Sequence, residues 1–407
     1  MIKSKRLLAA GLAASLVLAA CGGDDDDSAP VEDTSEDTAE ATDEMTEESD
    51  EMTEESDEMT EESDEMTEES SDEMTEESDE ATEAAGDVTP LKTCLVTDLA
   101  GIDDKSFNAS SWQGVLDAID AGYAMPEPDS FYLESDVEAD WQPNIDQMIE
   151  QGCEHMVTVG FALDGVTQEN APENPDINWT IVDVDFFDFS GETPVDVTYD
   201  NVRELTYQTD EAAFLAGYVA ASVSESGVVG TFGGANFPTV SIFMNGFYWG
   251  VDYYNQQKGT DVQVLGWDPN NPDTGLFTGD FVDLDIARAT AQSLLDEGAD
   301  VIMPVGGQIN LGAGAAMEDI GMGANGDVFG ALIGVDTDAF ISAPEYADLW
   351  LTSVEKALAG KVTESIQADA TGEFVSGVER GYLSNDGVSI SEFHEFDSIV
   401  SDETKAE

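Results

Sequence analysis

Basic residues are the first thing this chain lacks. Its 407 residues hold 12 Lys and Arg against 90 Asp and Glu, a formal charge of −78 at pH 7. A surface of that sign is repelled by phosphodiester backbones, which excludes nucleic acid as a partner. It is repelled by anionic headgroups as well, so any membrane attachment must be covalent or hydrophobic. Histidine is nearly missing: only His155 and His394 occur, and neither stands in a pattern with a nucleophile. There is no G-x-S-x-G and no Walker A sequence, and the three cysteines, Cys21, Cys94 and Cys153, have no metal-site spacing. The glycine-rich stretches GTFGGA and VGGQINLGAG have too few bases around them for a phosphate ligand. These absences argue against an enzyme, a cofactor and a metal, and for an uncharged ligand. An apolar run opens the chain, but Leu7–Ala20 is roughly 14 residues, short of the ~20 that span a bilayer.

That run, behind Lys3, Lys5 and Arg6, predicts a signal peptide over 1–20. Its end, Leu18-Ala19-Ala20-Cys21-Gly22, resembles a bacterial lipobox, which implies a lipid on Cys21; plain secretion with an incidental cysteine is the alternative. Residues 22–87 carry 33 acidic side chains and no Lys or Arg. The motif DEMTEES repeats from Asp43, Asp50, Asp57 and Asp64 and, after an inserted Ser71, from Asp72. A coiled coil is excluded, because each repeat offers one apolar residue where a seam needs two and its acids repel along a helix. Low hydrophobicity and high charge predict a disordered tether over 21–87. As a flexible chain it would span about 45 Å.

From Leu91 the texture changes, although 88–407 still carries 57 acidic and 9 basic residues. Strands are expected at Leu91–Asp98, Ser130–Leu133, His155–Gly160, Trp179–Val184, Val228–Gly233, Val262–Gly266, Val301–Gly306 and Val328–Asp336. Helices are expected between them, at Trp112–Ala121, Trp141–Gln151, Phe161–Asn170, Glu211–Ser222, Ser241–Asn255 and Leu284–Glu297. This alternation predicts an α/β architecture of two Rossmann-like lobes with parallel sheets, joined by a hinge of several crossings. The first crossing is expected at Tyr199–Arg203 and a return near Leu349–Ala359. That gives lobe one 88–200 plus about 337–360, and lobe two 201–336 plus about 361–407. Cys94 and Cys153 stand in or just before strands that are neighbours if the order is 2-1-3. In an exported protein they are expected to form a disulfide, with two buried thiols as the alternative.

The stretch Val96–Asn108, VTDLAGIDDKSFN, runs from a buried strand into a polar loop around Phe107. In open parallel sheets ligands bind just beyond such strand ends. The loop resembles the signature of the basic membrane protein (Bmp) family, purine-nucleoside-binding lipoproteins of bacterial ABC importers. So do GCEHMVTVGF, PDINWTIVD, DEAAFLAGYVAA, GVVGTFGGANFPTVSIFMNGFYWG, ADVIMPVGGQINLGAG, IGVDTDAF and LTSVEKALAG, in order across about 91–400. The resemblance implies a type I periplasmic-binding-protein fold, a purine nucleoside held between the lobes, an ABC permease as partner, and a monomer anchored by lipid alone to the extracytoplasmic face of the cell membrane.

It also implies site residues. Phe107 and Phe243 would sandwich the base, Asn108 and Asp164 would read its edge, and Asp336 would accept from ribose hydroxyls. Gly306 would contribute backbone, Lys356 a donor, and Asp98 would line the first loop. The family's acid falls one position after Asp164, where this chain has Gly165. Each residue has a structural alternative: Phe107 a plug, Phe243 core packing, Asp336 a helix cap, Lys356 a surface lysine. The other functional readings are a surface sensor or adhesin of the same fold, and a different small neutral ligand such as a sugar.

Overall fold

The computed structural model describes residues 88–188 and 193–407. The expected signal peptide, Cys21 and the repeat-bearing tether lie outside the described residues. Up to the first crossing the chain forms β1 (Thr93–Val96), α1 (Phe107–Asp120), β2 (Phe131–Leu133), α2 (Trp141–Glu150), β3 (His155–Val159), α3 (Asp164–Asn170), β4 (Asn178–Val182), the small hairpin β5 (Phe187–Asp188) and β6 (Val195–Asp196), and β7 (Val202–Tyr207). It continues through α4 (Thr209–Val223), β8 (Val228–Gly233), α5 (Pro238–Lys258), β9 (Gln263–Leu265), α6 (Leu284–Asp296), β10 (Val301–Val305), α7 (Ile309–Glu318), β11 (Ala331–Asp336), α8 (Ala339–Ser342) and β12 (Trp350–Lys356). Then follow α9 (Leu358–Ala370), β13 (Gly377–Gly381), β14 (Val388–Ile390) and α10 (Asp402–Ala406).

Two six-stranded sheets result, ordered β13-β7-β4-β3-β1-β2 and β14-β12-β11-β10-β8-β9. Within them every pairing is parallel except that of β14 with β12. The central strands HMVTV, VIMPV and ALIGVD are buried along their whole length. Helices on both faces explain why these segments are continuous apolar runs and not alternating ones. Trp179, Met148 and Ile145 fill the core of the first lobe; Phe232, Ile302 and Trp350 fill that of the second. Cys94 in β1 and Cys153 just before β3 are joined by a disulfide, with Cα atoms 5.9 Å apart. The order β2-β1-β3 makes those strands neighbours.

The crossings differ from the sequence expectation. The expected crossing at Tyr199–Arg203 instead leads into β7, a strand of the first sheet, and the chain leaves that sheet only at Gln208. The charged VRELTY looks unlike a buried strand, but its charged side chains find partners inside the lobe: Arg203 pairs with Glu379 on β13, and one oxygen of buried Glu204 accepts from the Phe186 amide at 2.9 Å, while its Oε1 has no partner. Residues 350–356, expected in lobe one, form β12 of the second sheet. Residues 361–370 and 377–381, expected in lobe two, pack against α1 and extend the first sheet. The reversal has a simple cause. The crossing lies at Ala357, between a strand end and a helix start, with no glycine, proline or polar break to mark it.

The three crossings run side by side. The Gln208 amide donates to the Gly381 carbonyl at 2.8 Å, and the Ala357 amide to the Gly387 carbonyl at 3.0 Å. The hinge therefore sits at the β13–β7 edge of one sheet and the β14–β12 edge of the other. The carboxyl ends of the parallel strands in the two lobes face each other across a cleft.

Candidate functional site

A narrow cavity open to solvent lies where those strand ends meet. Lobe one contributes Asp98, Phe107 and Asn108 beyond β1, Gly160 and Phe161 beyond β3, and Asp183 beyond β4. Lobe two contributes Phe237 and Phe243 beyond β8, Phe281 ahead of α6, Gly306 beyond β10, Asp336 at the end of β11 and Lys356 at the end of β12. Of the residues singled out in the sequence, Asp98, Phe107, Asn108, Phe243, Gly306, Asp336 and Lys356 all line it. Asp164 does not. A short 3-10 turn over Phe161–Leu163 puts Phe161 at the wall, and Asp164 opens α3 beyond it, accepting from Gln168 Nε2 at 2.6 Å.

Lys356 is the centre of the site. Its ammonium donates to Asp183 Oδ2 at 2.7 Å and lies 3.1 Å from Asp336 Oδ1. It also stands 5.1 Å from the Phe107 ring centre and 4.7 Å from that of Phe243, between aromatic faces from opposite lobes. Burial alone would lower the lysine pKa, but the two carboxylates outweigh it and hold the group above its ordinary value, so the ammonium is charged. Asp183 and Asp336 occupy equivalent places in the two lobes. Each ends an apolar strand (NWTIVD, ALIGVD) and has a left-handed backbone, with φ of 65° and 70°. Such a conformation is uncommon for a side-chain-bearing residue and typical of functional strand ends.

Sequence reasoning missed Asp183, although the same signal that marks Asp336 is present there. It also missed the aromatic row of Phe161, Phe237 and Phe281, whose neighbouring ring centres are 5.4 and 6.1 Å apart.

The first loop divides its acids between two tasks. Asp104 accepts from the backbone amides of Ser106, Asn108 and Ala109 at 3.0, 2.8 and 3.0 Å. It thereby anchors the start of α1, which leaves its own amides otherwise unpaired. Asp98 receives Asn108 Nδ2 at 2.9 Å and the Ala100 amide at 3.3 Å. Burial dominates nonetheless and pushes the Asp98 carboxyl up to about 6. Asn108 Nδ2 lies between Asp98 Oδ1 and Asp104 Oδ2, which fixes the orientation of the amide and leaves its buried Oδ1 without a partner. An amide oxygen so placed is an unmet acceptor on the wall of the cavity.

The lobes touch around this cavity. Ser106 Oγ lies 2.9 Å from the Val335 carbonyl oxygen and 3.0 Å from Asp336 Oδ2, so its single O–H is shared between these two acceptors of the other lobe. Lys105 pairs with Glu345 across the cleft at 2.5 Å. Gly307 lies so close to the first lobe that a Cβ there would come within 2.8 Å of the Asp104 carbonyl. Gly160, with φ of 102°, would bring a Cβ within 2.8 Å of Asp98. Among the described residues no helix is long and apolar enough to cross a membrane.

Two α/β lobes, three crossings and a cleft lined from both sides define a hinged binding protein. Solved structures agree on that fold. A solute-binding protein of an ABC transporter system from Aeropyrum pernix K1 superposes with a TM-score of 0.62 at 24% identity, covering 74% of this chain and 77% of that one. One from Conexibacter woesei does so with a TM-score of 0.55 at 21% identity, covering 78% and 93%. Residues 91–407 match the Bmp family model, described as ABC transporter substrate-binding protein PnrA-like, and the chain belongs to that family. Its relatives include the ABC transporter nucleoside-binding protein BmpA of Lactococcus lactis, 26% identical over 61% of this chain. That match spans 65% of the relative's own length, just under two thirds. The CD4+ T-cell-stimulating antigen of Listeria monocytogenes is 27% identical over 73% of this chain and 79% of its own.

Proposed function

We propose that this protein captures a purine nucleoside between its lobes and delivers it to an ABC permease, while a lipid on Cys21 and the acidic tether hold it at the extracytoplasmic face of the cell membrane. The observation that carries the ligand reading is the combination on one cavity of Phe107 and Phe243 with two strand-end carboxylates and an unpartnered amide oxygen. A purine is a flat π-face that stacks between phenyl rings. Its ring or amino N–H suits Asn108 Oδ1. Vicinal ribose hydroxyls donate to a carboxylate as a pair, which suits Asp336, and Lys356 beside it donates to a hydroxyl or ring oxygen. The reading takes further support from the name of the Lactococcus relative. This role needs no catalytic group. A thermal-shift panel on the full chain with adenosine, guanosine, inosine, cytidine and ribose tests it. A purine nucleoside at 100 times its Kd should add ~2.7 kcal/mol of stability; a shift with ribose alone would replace the nucleoside by a sugar.

A further inference from the structure

We propose that the cleft has a second chamber, on its hinge side, that takes the amine-bearing tail of a nucleoside larger than adenosine. The inference rests on the nucleoside reading above. Asp183, Phe161 and Thr239 border the ligand cavity on one face and a further space of about 350 Å³, open to solvent, on the other. That space is walled by Tyr207, Gln208 and Arg380 at the crossings and by Ile242 on α5. Asp183, Phe161 and Thr239 are the shared wall between the two spaces, and the proposal is that a ligand held at Lys356 reaches past Asp183 toward the hinge.

The chemistry of the chamber selects the tail. The Tyr207 hydroxyl belongs to a side chain only 5% exposed and has no hydrogen-bond partner, and Asp185 Oδ1 is likewise buried and unpartnered. Both can accept, and buried acceptors are rarely left unmet. The single base of the chamber, Arg380, is already paired with Asp185 Oδ2 and donates to Gln208 Oε1 at 3.1 Å. Asp164, which stands outside the ligand cavity, faces this chamber with a carboxylate bonded only to the neutral Gln168 amide. Acidic charge therefore exceeds basic charge. An ammonium is a compact cation with three donors, which such a space favours, whereas a phosphate would meet like charge.

The test is calorimetric titration of the full chain with adenosine, adenosine 5′-monophosphate, and adenosine carrying a short aminoalkyl tail on either N6 or the 5′ carbon. One of the two amine derivatives should bind at least as tightly as adenosine, and the monophosphate about tenfold or more weakly. Ile242→Trp, which fills the chamber, should weaken that derivative by about tenfold while adenosine stays within about threefold. Tyr207→Phe, a milder change, should weaken the derivative and leave adenosine unaltered. Two amine derivatives that each bind tenfold worse than adenosine would overturn the proposal, as would variants that affect adenosine and the derivative alike. Failure of every nucleoside, adenosine included, would instead overturn the ligand reading and this assignment with it.

Discussion

Removing the Lys356 ammonium is the sharpest perturbation available. Its contacts with Asp183 and Asp336, at 2.7 and 3.1 Å, lie in a region where all three side chains are under 10% exposed. Coulomb attraction at an effective dielectric of 20 is about 6 kcal/mol for the first contact and about 5 kcal/mol for the second, most of it offset by the cost of burying the charges. Lys356→Met keeps the stem and removes the charge, leaving two carboxylates that face each other across the cleft with no cation between them. Breaking a buried pair in this way typically costs about 3–5 kcal/mol, with protonation of one carboxylate setting the upper limit. Denaturant unfolding at pH 7.5, followed by tryptophan fluorescence, measures the loss. Trp179 and Trp350 are fully buried, one in each lobe, so the signal reports on both. Adding Asp183→Asn to Lys356→Met should recover part of the loss, because one unpaired charge is then gone. A loss below about 1 kcal/mol, or no recovery in the double variant, would refute the coupling of the three groups.

The remaining predictions concern other parts of the site and scaffold. Asp98 titrates at about 6 in the folded chain against an ordinary value of 3.8. A raised carboxyl binds its proton more tightly when folded, so its contribution to stability falls as pH rises from 4 to 6, by up to about 3 kcal/mol. Asp98→Asn should therefore be more stable than the unaltered chain at pH 7.5 and equal to it below pH 4, and matched denaturant curves at the two pH values check this. Asp336→Asn should weaken adenosine by about 10–100-fold through the lost charge on the ribose acceptor, and adenine by far less; equal loss for both in competition binding would remove Asp336 from that role. Thiol counting on the denatured chain should find Cys94 and Cys153 unreactive until reduced, and reduction should cost about 4 kcal/mol for a loop of 59 residues.

The parts of the fold that follow from local pattern were legible in the sequence. Val228–Gly233 is a strand over the expected residues, and Val301–Gly306 and Leu284–Glu297 differ from β10 and α6 by one residue at one end. The parts that depend on long-range partners were not. VRELTY is a strand because Arg203 pairs with Glu379 on the neighbouring strand and Glu204 accepts from the Phe186 amide, partners 176 and 18 residues away. The hinge at Ala357 has no local mark at all. Within the site, Phe107, Asn108 and Asp336 stand out because polar or aromatic groups at strand ends need a reason to be there. Asp183 met the same criterion but lay between aromatic and acidic residues, in TIVDVDFFDF, that diluted the signal. Asp164 shows the reverse limit. It is adjacent in sequence to a cavity residue, and one 3-10 turn directs it into a different space.

Calorimetric titration of inosine and adenosine into the full chain reads out whether one nucleoside binds between Phe107 and Phe243. A 1:1 complex is expected, with affinity lower by about tenfold or more in both Phe107→Ala and Phe243→Ala, one substitution in each lobe. Binding that survives both substitutions unchanged, or no heat from any purine nucleoside, would contradict it.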